Sequence, residues 1–153
     1  MSATKLLRVA AFAVCLCAVS GCAIPRIASE FPRTDQHLSA PVPTGLSRVV
    51  VFNSSNSVLY GLDHSGRMHV LIDARAVGSL DPGEYAQVFL PQGRHDVALR
   101  HRDMTWVETE HPVLIDRAER YLNVTCEPAG QRLEAQDQPP PDFGRKYRPV
   151  PGL

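Results

Sequence analysis

Apolar and polar positions divide this chain into four stretches. Residues 6–19 are almost uniformly apolar, with Lys5 and Arg8 at their head. Residues 23–45 are polar and broken by Pro25, Pro32, Pro41 and Pro43, with neither a helical nor a strand period. From residue 47 the pattern changes to short β-type runs. Residues 48–52 (Arg-Val-Val-Val-Phe) form a β-branched run, stopped by Asn53-Ser54-Ser55-Asn56. Residues 58–62 extend it or pair with it, and Asp63-His64-Ser65-Gly66 reads as a turn. Further strands are expected over 68–72, 76–80, 84–90, 95–102, 106–110, 113–115 and 121–127. Alternation assigns their inner faces: Met68, Val70 and Ile72; Ala86, Val88 and Leu90; Val97 and Leu99; Leu122, Val124 and Cys126. Asp96, Arg100 and Arg102 then face out.

Turn chemistry sits between the runs. Pro82 and Gly83 close one turn after Asp81. Pro91-Gln92-Gly93 fits a type I turn with Gly93 at a left-handed bulge position, which predicts a hairpin between 84–90 and 95–102. Short strands every eight to twelve residues predict an all-β protein, an antiparallel β-sandwich of immunoglobulin or transthyretin type. The one helical candidate, residues 116–119, is too short to count. After Pro128 the chain is polar and carries Pro139-Pro140-Pro141 and Pro149-Val150-Pro151, so a solvated or loosely docked tail is expected. The expected organisation is a signal segment over 1–21, a flexible tether over 22–46, a sandwich over 47–127 and a Pro-rich tail over 128–153.

The N-terminal stretch has a basic n-region and a short apolar h-region, as a secretory signal does. It is shorter than the roughly 20 apolar residues a membrane span requires. It ends in Val19-Ser20-Gly21-Cys22, where ordinary signals carry an Ala-x-Ala-like site. That sequence resembles the lipobox of bacterial lipoproteins. The resemblance implies that Val19, Ser20 and Gly21 are read by the signal peptidase, and that Cys22 is acylated and becomes the new N-terminus. Two or three acyl chains make the attachment to a membrane effectively permanent, whereas one gives marginal binding. Ala23 resembles the residue of outer-membrane lipoproteins, because Asp at that position retains enteric lipoproteins in the inner membrane. The expected location is the outer membrane, lipid-anchored and facing the periplasm. The alternative is an ordinary cleaved signal followed by an accidental cysteine. As a flexible chain the tether would span roughly 25–30 Å, enough to lift a domain off the lipid.

Composition narrows the partners. The formal net charge is zero, and loss of Lys5 and Arg8 with the signal leaves a slightly acidic chain. There is no basic patch interleaved with aromatics, so nucleic acid is not an expected partner. Cys15 and Cys17 lie in the h-region and Cys22 carries lipid, which leaves Cys126 alone in the mature chain. No intramolecular disulfide can then form, and Cys126 is expected to be a buried, inert hydrophobe.

The layout Val70-Leu71-Ile72-Asp73, Val77-Gly78-Ser79-Leu80, Gly83-Glu84-Tyr85 and Leu90-Pro91-Gln92-Gly93-Arg94-His95 resembles a β-sandwich domain of unknown function in Gram-negative lipoproteins, and more loosely PEGA domains. The likeness covers about residues 48–123. Ala74 stands where that pattern has Gly in its first turn. The resemblance implies a scaffold and brings no catalytic residues.

Chemistry-bearing residues are scattered. Among the histidines, His64 and His69 flank a turn, His95 and His101 share a strand face roughly 20 Å apart, and His111 precedes Pro112. None has zincin spacing and no cysteine pair accompanies them, so neither a metal nor another cofactor is expected. A cross-strand site between His95 and a residue near Tyr85 is the minority alternative. No Gly-x-Ser-x-Gly elbow exists, and Ser54, Ser55 and Ser57 sit in a polar turn. Glu108 and Glu110 share one strand face, which reads as a solvated surface or a guarded edge. The sequence therefore predicts a non-catalytic, lipid-anchored module that binds or supports an envelope protein or the cell wall. An assembly subunit like the small transthyretin-like lipoprotein of type VI secretion is the alternative, and a secreted hydrolase a distant one.

Overall fold

A computed structural model describes residues 25–32, 38–56, 66–102, 105–127 and 130–151. Val19, Ser20, Gly21 and Cys22, the run at 58–62 and the turn containing His64 lie outside the described residues. Among the described residues the strands are β1 (Leu46–Asn53), β2 (Met68–Ile72), β3 (Arg75–Leu80), β4 (Glu84–Pro91), β5 (Gly93–Arg102), β6 (Trp106–Ile115), β7 (Glu119–Glu127), β8 (Gly130–Gln136) and β9 (Arg148–Pro149), with a short helix, α1 (Phe143–Lys146), before β9. They form two sheets. One has the order β8-β7-β1-β4-β9 and the other β3-β2-β5-β6. Pairing is antiparallel except for β1 with β7 and β4 with β9. The fold is the all-β sandwich that strand spacing predicts.

The alternating residues meet between the sheets. Val49, Val51, Ala86, Val88, Leu122 and Val124 from the first sheet face Met68, Val70, Ile72, Val97 and Leu99 from the second, all nearly or fully buried. Cys126 is buried in this core. A second cluster lies on the opposite side of the five-stranded sheet. Val50, Phe52, Tyr85 and Tyr121 are buried there beneath Phe143, with Leu38 and Tyr147 packed around them. The Phe143 ring meets Phe52 edge-on at 5.3 Å and stacks on Tyr147 at 4.9 Å.

Four expectations are corrected. First, β4 and β5 belong to different sheets, so Pro91-Gln92-Gly93 carries the chain from one sheet to the other and closes no hairpin. Gly93 still has a positive φ of 146°, the conformation that favours glycine. Pro82 and Gly83 likewise connect β3 to β4 across the sandwich, with Gly83 at φ 82°. Second, the segment read as a tether is docked along β3. Glu30 N–H donates to the Ala76 carbonyl at 2.9 Å, Ile27 N–H to Ser79 Oγ at 2.8 Å, and Phe31 enters the main core. Third, the tail is part of the fold. Residues 130–136 pair with β7, α1 covers the outer aromatic cluster, and Val150 reaches the main core. Fourth, the runs 106–110 and 113–115 are one strand, β6, through Pro112. Proline is tolerated there because β6 is a sheet edge.

Candidate functional site

The outer side of the four-stranded sheet differs from the outer side of its partner. Register sets its side chains in rows. His69, Arg100 and Glu108 stand side by side on β2, β5 and β6, and Leu71, Ala98 and Glu110 form the next row. Ala98 is small, so this second row is low at its centre. Trp106 stands diagonally beyond the first row, opposite Arg102, and is 56% exposed. Its ring centroid lies 5.4 Å from that of His69.

These rows make one furrow of two connected hollows. The first, about 390 Å³, is lined by Ile27, His69, Arg100, Trp106, Val107 and Glu108. The second, about 270 Å³, runs on between Leu71, Ala74, Asp96 and Glu110, and shares Arg100 and Glu108 with the first. Arg100 Nε and Glu108 Oε2 pair at 2.9 Å across the shared wall. The docked segment at Ile27 forms the wall on the β3 side. Glu108 and Glu110 are thus on the solvated face that alternation predicts.

His69 is held in place beneath the indole. Its Nδ1 lies 2.7 Å from Ser79 Oγ, which also accepts the Ile27 N–H. Burial, with the charges of Arg67 and Arg100 adding to it, lowers the His69 pKa. The imidazole is therefore neutral at pH 7. Ser79 is 1% exposed and its oxygen is already engaged, so the pair fixes the furrow floor.

A cluster of ions anchors the same end of the sandwich. The Glu84 carboxylate is fully buried and accepts both Arg26 nitrogens at 3.0 and 3.1 Å, together with the Asp81 N–H at 2.9 Å. Arg67 Nε pairs with Asp81 at 2.7 Å, and Arg26 reaches the same carboxylate at 2.5 Å. The hydrogen bond to Glu84, opposed by burial and supported by the Asp81 charge, raises the Arg26 pKa further. Arg148 Nη2 approaches Glu84 at 3.4 Å. Beside this cluster a polar cleft of about 480 Å³ opens between Asn53, Ser54, Ser55, the Pro82-Gly83 turn and residues 144–148.

The other histidines are placed singly. His95 Nδ1 is 2.7 Å from Asp73 Oδ2, and its Nε2 is 2.9 Å from the Pro91 carbonyl. Tyr85 lies on β4 in the other sheet, so its neighbours are not across a strand pair from His95 and the cross-strand site expected there does not form. His101 meets Gln131, and His111 meets Thr109. Among the described residues no group of three or more His, Cys, Asp and Glu is arranged to hold a metal. Ser54 bonds Asn123 and Ser55 accepts the Cys126 N–H, which makes both structural.

Sequence reasoning missed Arg26, Ile27 and Trp106. The first two lie in a polar, Pro-broken stretch that carries no period. Trp106 did leave a signal: it shares strand parity with Glu108 and Glu110, so an indole was due on a solvated face. Comparison with protein-family models, curated proteins and solved structures finds no match to this chain.

Proposed function

We propose that this chain is a non-catalytic envelope lipoprotein, anchored to the outer membrane by acyl chains on Cys22, whose furrow holds a strand of cell-wall glycan. The observation that carries the ligand is Trp106. Trp106 is 56% exposed beside an open furrow, and an exposed indole face can stack on the C–H face of a sugar ring. Glu108, Glu110 and Arg100 along the same furrow supply acceptors and donors for hydroxyl and amide groups. Two adjoining hollows that share Arg100 and Glu108 suit successive rings of a polymer better than one small molecule.

The test is co-sedimentation of the full chain with purified, protein-free cell wall. Wild type should pellet and Trp106→Ala should bind at least about tenfold more weakly, equivalent to about 1.4 kcal/mol. Equal pelleting of the two would exclude the furrow. The anchor is tested separately: Cys22→Ala should abolish labelling by an alkyne fatty acid.

A second reading, an assembly subunit for a secretion or envelope complex, is favoured by β6. This ten-residue strand is a sheet edge and exposes Leu114 by 52%. An exposed edge can add a partner strand. The edge is partly blunted, since Gln131 Nε2 caps the Val107 carbonyl and Pro112 has no N–H. A photo-crosslinker at Leu114 that captured one envelope protein in cells would favour this reading.

A further inference from the structure

Residue 26 is only four residues beyond Cys22, and it is already locked into the fold. An extended chain covers at most about 3.3–3.6 Å per residue, so the Arg26 backbone lies within about 14 Å of the Cys22 α-carbon. Arg26 bonds Glu84 and Asp81, at the end of the sandwich where β3 passes into β4. Glu84 is also approached by Arg148, which lines the polar cleft. The chain that leads from Cys22 therefore enters the fold at the end of the domain that carries the cleft.

The chemistry of that cleft suits a particular surface. Arg145, Lys146 and Arg148 line it together with Ser54 and Ser55, which follow β1, and its described lining holds no carboxylate. Its backbone is close-packed: Arg148 N–H donates to the Gly83 carbonyl at 3.0 Å, and a Cβ on Gly83 would stand 3.6 Å from the Lys146 carbonyl. The cations thus project from a fixed ledge. Arg145 and Lys146 are exposed, and the Arg145 guanidinium pairs with the exposed Asp142 carboxylate at 2.8 Å, a surface pair that an anionic headgroup can compete with.

We infer that the cleft at residues 144–148 seats anionic phospholipid headgroups, so that the domain lies against the bilayer on which Cys22 anchors it. The inference rests on the acyl anchor proposed above. A short leash holds the cleft at high local lipid concentration, so weak individual contacts suffice. Juxtamembrane cations are attracted to an anionic surface and lose that attraction in salt. The domain then stands on one end, and the furrow runs up its side, away from the lipid.

The chain carries its own reporter. Lys5 and Lys146 are its only lysines, and Lys5 leaves with the signal. The full chain, as isolated from bacterial membranes, is placed on phosphatidylcholine vesicles with and without phosphatidylglycerol and treated with a water-soluble amine-acylating reagent. Modification of Lys146, read by mass spectrometry, should be at least about fivefold slower on the anionic vesicles, with the difference lost in high salt. Arg145→Glu should remove most of the protection. Equal rates on both vesicles overturn the inference, as does unchanged protection in Arg145→Glu. Equivalent protection by soluble glycerophosphate would replace the lipid surface with a small-anion site and also overturn it. Flotation of the same vesicles reports the anchor independently. A chain that floats on neutral vesicles without lipid-dependent protection retains its anchor and refutes the cleft, whereas protection without flotation on neutral vesicles supports the cleft and refutes the anchor.

Discussion

The two outer faces of the sandwich have opposite fates. The five-stranded sheet turns Val50, Phe52, Tyr85 and Tyr121 away from the main core, and the chain covers them with its own residues 38 and 143–147. The four-stranded sheet turns His69, Arg100, Glu108, Leu71, Ala98 and Glu110 outward and leaves a furrow beside an exposed Trp106. An apolar outer face must be covered, because water there costs about 25 cal/mol per Å² of buried apolar area forgone. A mixed face can stay open. Open surface that also displays a tryptophan is where function is to be sought, and the covered face is where stability is.

The largest expected effect breaks the cover. Phe143→Ala removes the ring at the centre of the outer cluster and should cost about 3–5 kcal/mol, read as a fall in the urea midpoint by circular dichroism. Trp106→Ala should cost under about 1 kcal/mol, because its ring is mostly in water. Equal costs would mean that the furrow is as structural as the cover. A smaller pair of changes tests which way the open sheet faces. Val97→Ala should lose about 1–3 kcal/mol from the core, and Arg100→Ala under about 0.5 kcal/mol, since its ion pair with Glu108 is exposed. If Arg100→Ala hurts more, the face assignment of β5 is inverted.

The turn at the far end of the furrow offers a gain. Asp73 and Ala74, between β2 and β3, both have positive φ, at 50° and 62°. A left-handed alanine carries a steric cost that glycine avoids. Ala74→Gly should therefore stabilise the protein by about 0.5–1 kcal/mol in the same denaturation assay. No gain would show that the flexibility added to the unfolded chain offsets the strain relieved.

The smallest effect belongs to pH. Burial opposes the charge on His95, but its hydrogen bonds to Asp73 and to the Pro91 carbonyl, with the Asp73 charge, outweigh that and raise its pKa. Burial likewise opposes the Asp73 carboxylate, and the His95 hydrogen bond and the Asp96 N–H outweigh it and lower its pKa. A histidine that binds its proton more tightly when folded contributes fully below about 6.5, and the contribution is lost as pH rises through the raised value. Stability should fall by up to about 1 kcal/mol on going above neutrality in wild type, and fall less in Asp73→Asn, which keeps only the Pro91 hydrogen bond. A fall of equal size in both would assign the pH dependence to other groups.

The covered face was partly legible. Four consecutive apolar residues, Val49, Val50, Val51 and Phe52, cannot all face one side of a strand, so β1 announces burial on both sides. What covers it was not legible. Phe143, Tyr147 and Val150 are isolated apolar residues in a Pro-rich polar stretch, and docking onto a sheet leaves no period in a sequence. The same holds for Phe31 in the N-terminal segment. The inner faces of β2, β4, β5 and β7 were legible because apolar residues recur at every second position along each, even where an apolar residue such as Leu71 or Phe89 also stands between them. The partner of β4 was not, since a turn motif fixes local backbone and leaves the choice of sheet to long-range packing. Trp106 was visible as a strand residue, but its neighbours His69 and Ile27 come from distant segments.

The position of β1 has a consequence for the order of events during folding. Its Arg48 pairs with Glu119, 71 residues later, and Glu84 on its neighbour β4 waits for Arg148, 64 residues later. Pairings so remote close slowly and late. A chain emerging N-terminus first has β1 and its partner β4 out by residue 91, waits for residues 119–127 to flank β1 on its other side, and waits longer still for Arg148 to close on Glu84. The four-stranded sheet has all its strands by residue 115, so the five-stranded sheet is the last to be completed although it holds the first strand, β1.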